Sequence, residues 1–225
     1  MKKIKFSKSM VLTFLSIALI AVIGVGSTLA YYSASAGDKT NVFTFSENIR
    51  AELSEPNWDA DEGLKLTPGK QIKKDPMVTN TCDISEYVAL RLTFQYKDKT
   101  TQMSQADLDK LLSLIVIDWN VGAGSNQWTI QSGSGTAQIT YLYNQVLASG
   151  EVSSPVMNSF RVKTKTDGLT EEQLYWLQGV KLENGVFVED AAALGGFNIK
   201  VEGAAIQATD ISSADAVSKL VAMFS

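Results

Sequence analysis

The stretch YVALRLTFQY, Tyr87 to Tyr96, alternates apolar and polar positions without a break. Val88, Leu90, Leu92, Phe94 and Tyr96 share one face, and Ala89, Arg91, Thr93 and Gln95 share the other. Strand side chains point to opposite faces in turn, whereas a helix would scatter these apolar positions around its surface. The stretch therefore predicts a strand with one face on a core. Working outward, the same period recurs. Phe43 and Phe45 alternate in NVFTF, Ile49, Ala51 and Leu53 in IRAEL, Ile139, Tyr141 and Tyr143 in QITYLYN, Phe160 and Val162 in SFRVKTK, and Phe197, Ile199 and Val201 in GFNIKVEG. IVIDW, Ile115 to Trp119, reads as a buried strand. Gly, Asn, Asp, Ser and Pro clusters separate these runs, as turns require.

Three short helices are predicted between strands. Ser104 to Asp107 has the spacing of a capping box, and Leu108, Leu111 and Leu112 then fall on one face. Thr170 to Gln173 is a second capping box, followed by Leu174 and Leu177. Ser212 to Asp215 opens a third helix, with Val217, Leu220, Val221 and Phe224 at i, i+3, i+4 and i+7. The regular strand–helix alternation of a parallel sheet is missing. The predicted fold is mainly β: an antiparallel, jelly-roll-like β-sandwich with a few short helices, preceded by an N-terminal signal helix.

The signal is read from the first 30 residues. Lys2, Lys3, Lys5 and Lys8 precede Met10 to Gly26, a run whose only polar residues are Thr13 and Ser16. Thr28 and Ala30 then supply small side chains at the −3 and −1 positions of a cleavage site, which leaves Tyr31 as the new N-terminus. Ala34-Ser35-Ala36 offers a second cleavage site, after Ala36. The run is also near the lower limit of roughly 17 residues for a membrane anchor, so an uncleaved signal segment is the one route to a membrane. The expected organisation is a signal peptide, 1–30, and a single sandwich domain, 31–225.

The 225-residue chain carries 20 basic and 24 acidic residues, a net charge of −4. Losing residues 1–30 removes four lysines and no acid, leaving 16 basic against 24 acidic and a net charge of −8. That balance argues against nucleic acid as a partner. Cys82 is the single cysteine. No disulfide within the chain can form, and an exported chain without one points to a Gram-positive type of cell surface. Cys82 is either a buried thiol or a link between two chains.

Little in the sequence points to catalysis. With no histidine, the Ser-His-Asp and Cys-His arrangements and HExxH zinc sites are excluded. No GK[ST] phosphate loop and no GxSxG is present. Asp59 to Gly63 resembles the start of a calcium loop, but position 12 is Lys70 rather than a bidentate Glu, so a solvated turn is expected. No cofactor, metal or catalytic residue is assigned. Trp119 and Trp176 read as core. Trp128, beside a Gly/Ser-rich loop, is the candidate for an exposed binding surface.

Three blocks carry a family resemblance. Gly26-Ser27-Thr28-Leu29-Ala30 is followed by Tyr31-Tyr32 and then by Asn41-Val42-Phe43-Thr44-Phe45. Leu66 to Asn80, LTPGKQIKKDPMVTN, matches a segment of the form L-x-PG-x-x-I-x-K-D-x-x-V-x-N. Phe197 to Val201 leads into Ala205-Ile206-Gln207-Ala208. Together they resemble the TasA/camelysin family of Gram-positive surface and biofilm-matrix proteins, exported through a SipW-type signal peptidase. Ser46 departs from the family's glycine, as does Thr81-Cys82, and residues 100–180 have no counterpart.

The resemblance implies a secreted, non-enzymatic structural protein of the cell surface or biofilm matrix. It implies assembly into extracellular fibres with itself or a related surface protein, by insertion of the new N-terminal strand into the next subunit. Tyr32, Val42, Phe43 and Phe45, within residues 31–45, are the candidate assembly strand. The local reading leaves open that these residues form the first strand of their own sandwich. A monomeric surface binding module, or adhesin, using the unmatched middle region and Trp128 is the alternative, and a camelysin-like metallopeptidase is a lesser one.

Overall fold

The computed structural model describes residues 34–35, 41–46, 49–63 and 66–224. The expected signal segment 1–30 and its cleavage residues Thr28, Ala30 and Tyr31 lie outside the described residues, as does Tyr32.

The alternating stretch Tyr87 to Tyr96 lies in β6 (Glu86–Tyr96), the centre of an all-antiparallel five-stranded sheet. The sheet runs β1 (Ala34–Ser35), β13 (Phe197–Gln207), β6, β9 (Gln138–Tyr143), β8 (Trp128–Ser132). β13 pairs with β6 along its whole length, from Phe197 opposite Tyr96 to Gln207 opposite Glu86. Two further sheets share its core. One is β4 (Gln71–Lys73), β10 (Met157–Val162), β7 (Ile115–Trp119). The other is β2 (Asn41–Ser46), β3 (Ile49–Ser54), β5 (Met77–Asn80). A separate hairpin joins β11 (Val180–Glu183) to β12 (Val186–Glu189). Helices α1 (Ala60–Gly63), α2 (Gln105–Leu114), α3 (Glu171–Gln178) and α4 (Ser213–Met223) complete the described chain, with one 3-10 turn at Lys165–Asp167. The protein is mainly β, with antiparallel sheets and short helices.

The period-2 pattern does what strand geometry requires. Val88, Leu90, Leu92 and Phe94 are fully buried against Leu53, Val78, Tyr141, Met157 and Val201 from the surrounding strands. Each such side chain contributes about 1.5–3 kcal/mol by leaving water. The opposite face of β6 departs from the one-sided expectation. Ala89, with Ala204 and Ile206 of β13, is buried under Ala216, Leu220 and Phe224 of the last helix and its cap. Small alanines let that helix approach the sheet closely. Arg91, beside them, pairs with Glu202 at 2.8 Å, donates to the Phe224 carbonyl, and stacks on the Phe224 ring at 5.0 Å.

The helix starts follow their sequence signals, with one variation. Thr170 and Gln173 make both reciprocal bonds of a capping box. Ser104 accepts from the Asp107 backbone N–H, but its own N–H donates to the Tyr96 hydroxyl, which in turn donates to Asp107. The cap is thereby tied to the central strand. Leu112 does not join Leu108 and Leu111 in the core: it is 36% exposed, and Leu114 takes the inward position. IVIDW is an edge strand rather than a fully buried one. Ile115 faces the core, while Val116 is 39% exposed, because β7 has a covered face and an open one.

Trp128 is placed differently from what its polar sequence neighbours predict. It is fully buried, not exposed. Its indole N–H donates to the Ser154 carbonyl at 2.9 Å, and its ring packs on Tyr143 at 5.0 Å between centroids. The polar loop before it folds over this position through Asn144, whose side-chain amide donates to the Gly122 and Gly124 carbonyls. Trp128→Ala is expected to cost about 3–5 kcal/mol of stability through the cavity it leaves. Urea unfolding of the variant measures this directly, and a loss under 1 kcal/mol would contradict the buried placement.

Candidate functional site

The segment following the expected cleavage site lies against its own fold where it is described. β1 pairs with β13, Ala34 opposite Ala205 and Ser35 opposite Ala204. β2, which contains Val42, Phe43 and Phe45, pairs with β3, with Val42 opposite Glu52 and Phe43 opposite Ala51. Among the described residues, β1 is the one strand on that side of β13, and it covers two positions of an eleven-residue strand.

Farther along the same strand lies a groove. A cavity of about 260 Å³ is lined by Phe197, Ile199 and Val201 of β13, Leu53 of β3, Phe160 of β10 and Trp58. The Phe160 and Phe197 rings meet edge to face at 5.7 Å. Its mouth is strapped by the segment that carries the second family-like block. The Lys74 ammonium, almost wholly buried, donates to both Glu55 carboxylate oxygens at 2.6 and 2.9 Å and lies 4.7 Å from the Trp58 ring centre. Asp75 accepts from the Asn57 backbone and side-chain amides at 3.1 and 2.6 Å. Buried charges held this way are costly to unpair, so the straps fix the loop over the groove. A Cβ at Gly63 would stand 2.5 Å from the Trp58 ring, so a larger residue there would have to push that ring aside.

A second cluster sits where β6 begins. Asn80, fully buried, donates to the Ile84 and Leu147 carbonyls and accepts from the Cys82 backbone N–H. The Cys82 thiol is buried and lies 2.9 Å from Asn80 Oδ1 and 3.0 Å from Glu86 Oε1. Glu86 is fully buried, and its Oε2 has no hydrogen-bond partner. Burial pushes its carboxyl up to about 7, against the smaller lowering effect of the Cys82 hydrogen bond and the Arg50 backbone. Burial and the neighbouring carboxyl also raise the thiol, which disfavours the reactive thiolate. Asn80 closes the second family-like block, whereas Glu86 belongs to no motif. Its position at the head of the apolar run, in register with the buried face, is the one signal that could have marked it.

The acidic stretch at Asp59 forms a single turn, in which Asp59 accepts from the Asp61 N–H at 2.8 Å. Among the described residues no three His, Cys, Asp or Glu side chains gather as a metal site, and no helix is long and apolar enough to cross a membrane. Comparison of the chain with protein-family models, with curated proteins and with solved structures finds no match.

The raised carboxyl makes stability depend on pH. Unfolded, Glu86 titrates near 4.5; folded, near 7. Stability tied to the bound proton is full below pH 4.5 and is lost as pH rises to 7. The chain is expected to be less stable at pH 8 than at pH 5 by on the order of 2 kcal/mol. Glu86→Gln should flatten this slope in urea titrations run between those limits. An unchanged slope in the variant would remove Glu86 as its source.

Proposed function

We propose that the protein is a secreted structural subunit of a cell surface or biofilm matrix, non-enzymatic, assembling into fibres by donation of its N-terminal strand to a neighbouring copy or a related surface protein. The observation that carries this reading is the seat of β1 on β13. The residues immediately after the family-like cleavage motif pair with the edge of the central sheet, and the apolar groove continues along that edge. A strand edge binds an added strand through main-chain hydrogen bonds, and adjacent pockets take alternate side chains. The contact made within one chain at Ala34 and Ser35 is the same contact that, made between chains, would link subunits. Residues 31–45 carry the alternating side chains such a donor needs. The jelly-roll order of the sandwich, the resemblance to TasA/camelysin proteins and processing by a SipW-type peptidase belong to this same reading.

The adhesin alternative loses Trp128 as a contact, because that ring is buried, and would rest on the surface of residues 100–180 alone. The peptidase alternative would need a metal held by carboxylates, and among the described residues no three His, Cys, Asp or Glu side chains gather in that way.

The test compares a chain beginning at Tyr31 with one beginning at Val42, by light scattering and negative-stain microscopy, with circular dichroism confirming that both are folded. The first is expected to polymerise and the second to stay monomeric. Adding a peptide of residues 31–45 in excess should cap growth of the first. Two folded, monomeric chains would overturn strand donation.

A further inference from the structure

Among the described residues, the most exposed large apolar side chains lie on the β11–β12 hairpin. Leu182, Val186 and Phe187 are 51%, 62% and 56% exposed, although Phe187 also touches the Tyr175 ring of α3. The hairpin turns through Asn184 and Gly185, whose φ values of 49° and 82° suit the two-residue turn that Asn-Gly favours. Pairing alternates along such a hairpin. Glu183 faces Val186 next to the turn, Leu182 faces Phe187, and Lys181 faces Val188. Residues flanking a two-residue turn exchange hydrogen bonds inward, and the next pair does not. The N–H and C=O of Leu182 therefore point away from β12, toward the open side of β11.

We propose that a second copy of this chain docks on that open side, with the two β11 strands antiparallel about a two-fold axis through Leu182. In this register Leu182 meets its own copy as the hydrogen-bonded pair. Lys181 then lies opposite the partner's Glu183, and Glu183 opposite the partner's Lys181. These are the non-hydrogen-bonded positions, where side chains stand closest. A two-fold contact must be self-complementary, and the sequence Lys-Leu-Glu is self-complementary in this arrangement alone. Lys181 and Glu183 already lie 2.7 Å apart within one chain, half-exposed and on one face, so the dimer joins two such pairs into a four-charge ring. β12 carries the single charge Glu189 and offers no equivalent register. The result is a four-stranded sheet in which the two Leu182 side chains stand side by side on one face and shield each other's flanks. It uses neither β1, β13 nor the groove, so it stands independently of strand donation.

Opposed Cα atoms of such a pair are about 5.5 Å apart, within reach of a disulfide. The test is therefore the chain with Leu182→Cys, oxidised in dilute solution, with the link mapped by mass to position 182 in both copies. Mapping separates it from any reaction of buried Cys82 and from fibre formation. Lys181→Glu and Glu183→Lys, each added to that background, place like charges opposite one another twice and should slow linking roughly tenfold or more. Mixed together, the two slowed chains restore opposite charges across the axis, and they should link to each other at the original rate. Sedimentation of the same charge variants without the introduced cysteine should show the same pattern of association. Absence of a link at position 182, a rate unaffected by either charge change, or a mixture no faster than its components would each overturn the proposal.

Discussion

The ladder between β6 and β13 is the constraint on which the rest of the molecule depends. It is the longest pairing among the described strands, and both its faces are put to use. One face supplies the fully buried Val88, Leu90, Leu92 and Phe94 around which the two three-stranded sheets gather. The other supplies the alanine floor for the last helix. The outer side of β13 carries β1 and the groove. A change that shifted this ladder by one residue would turn every apolar side chain on β6 to the wrong face.

What the sequence disclosed follows from how burial shapes composition. A strand covered on one face alternates, so β6, β9, β10 and β13 were legible directly. Helix caps were legible because Ser104, Thr170 and Ser212 must satisfy backbone donors that nothing else reaches. The short strands β4 and β5 were hidden in a Lys- and Pro-rich segment, since three or four residues leave too little period to count. The second core was hidden for another reason: Ala89 and Ala204 are apolar but small, and alternation between Leu and Ala reads like alternation between apolar and neutral. The β11–β12 hairpin did have a signal, Asn184-Gly185 between Val- and Leu-bearing runs, which hydrophobic period alone passes over. Trp128 looked exposed because its neighbours in sequence are polar, yet its burial is decided by Ser154 and Tyr143, which the fold brings from elsewhere. Glu86 had the same problem in reverse, being a charged residue placed on an inward position.

The two polar clusters show opposite ways of burying charge. At Lys74 the charge is matched by the Glu55 carboxylate and the ring of Trp58. At Glu86 the partners are a thiol and backbone, and one oxygen is left alone. The first arrangement braces a loop; the second makes the junction between β5 and β6 respond to the acidity of its surroundings.

The central ladder also sets an order of events. Arg91 and Glu202, partners across it, are 111 residues apart in sequence. A contact of that span forms late, because closing so long a loop costs chain entropy before any packing compensates for it. β13 follows β6 by about 100 residues, so the main sheet cannot close until the whole stretch between them has been made. Until then β6 presents an open, strongly apolar edge, and β1 has no strand to lie against. The timing of closure is thus written into the long separation between two paired strands.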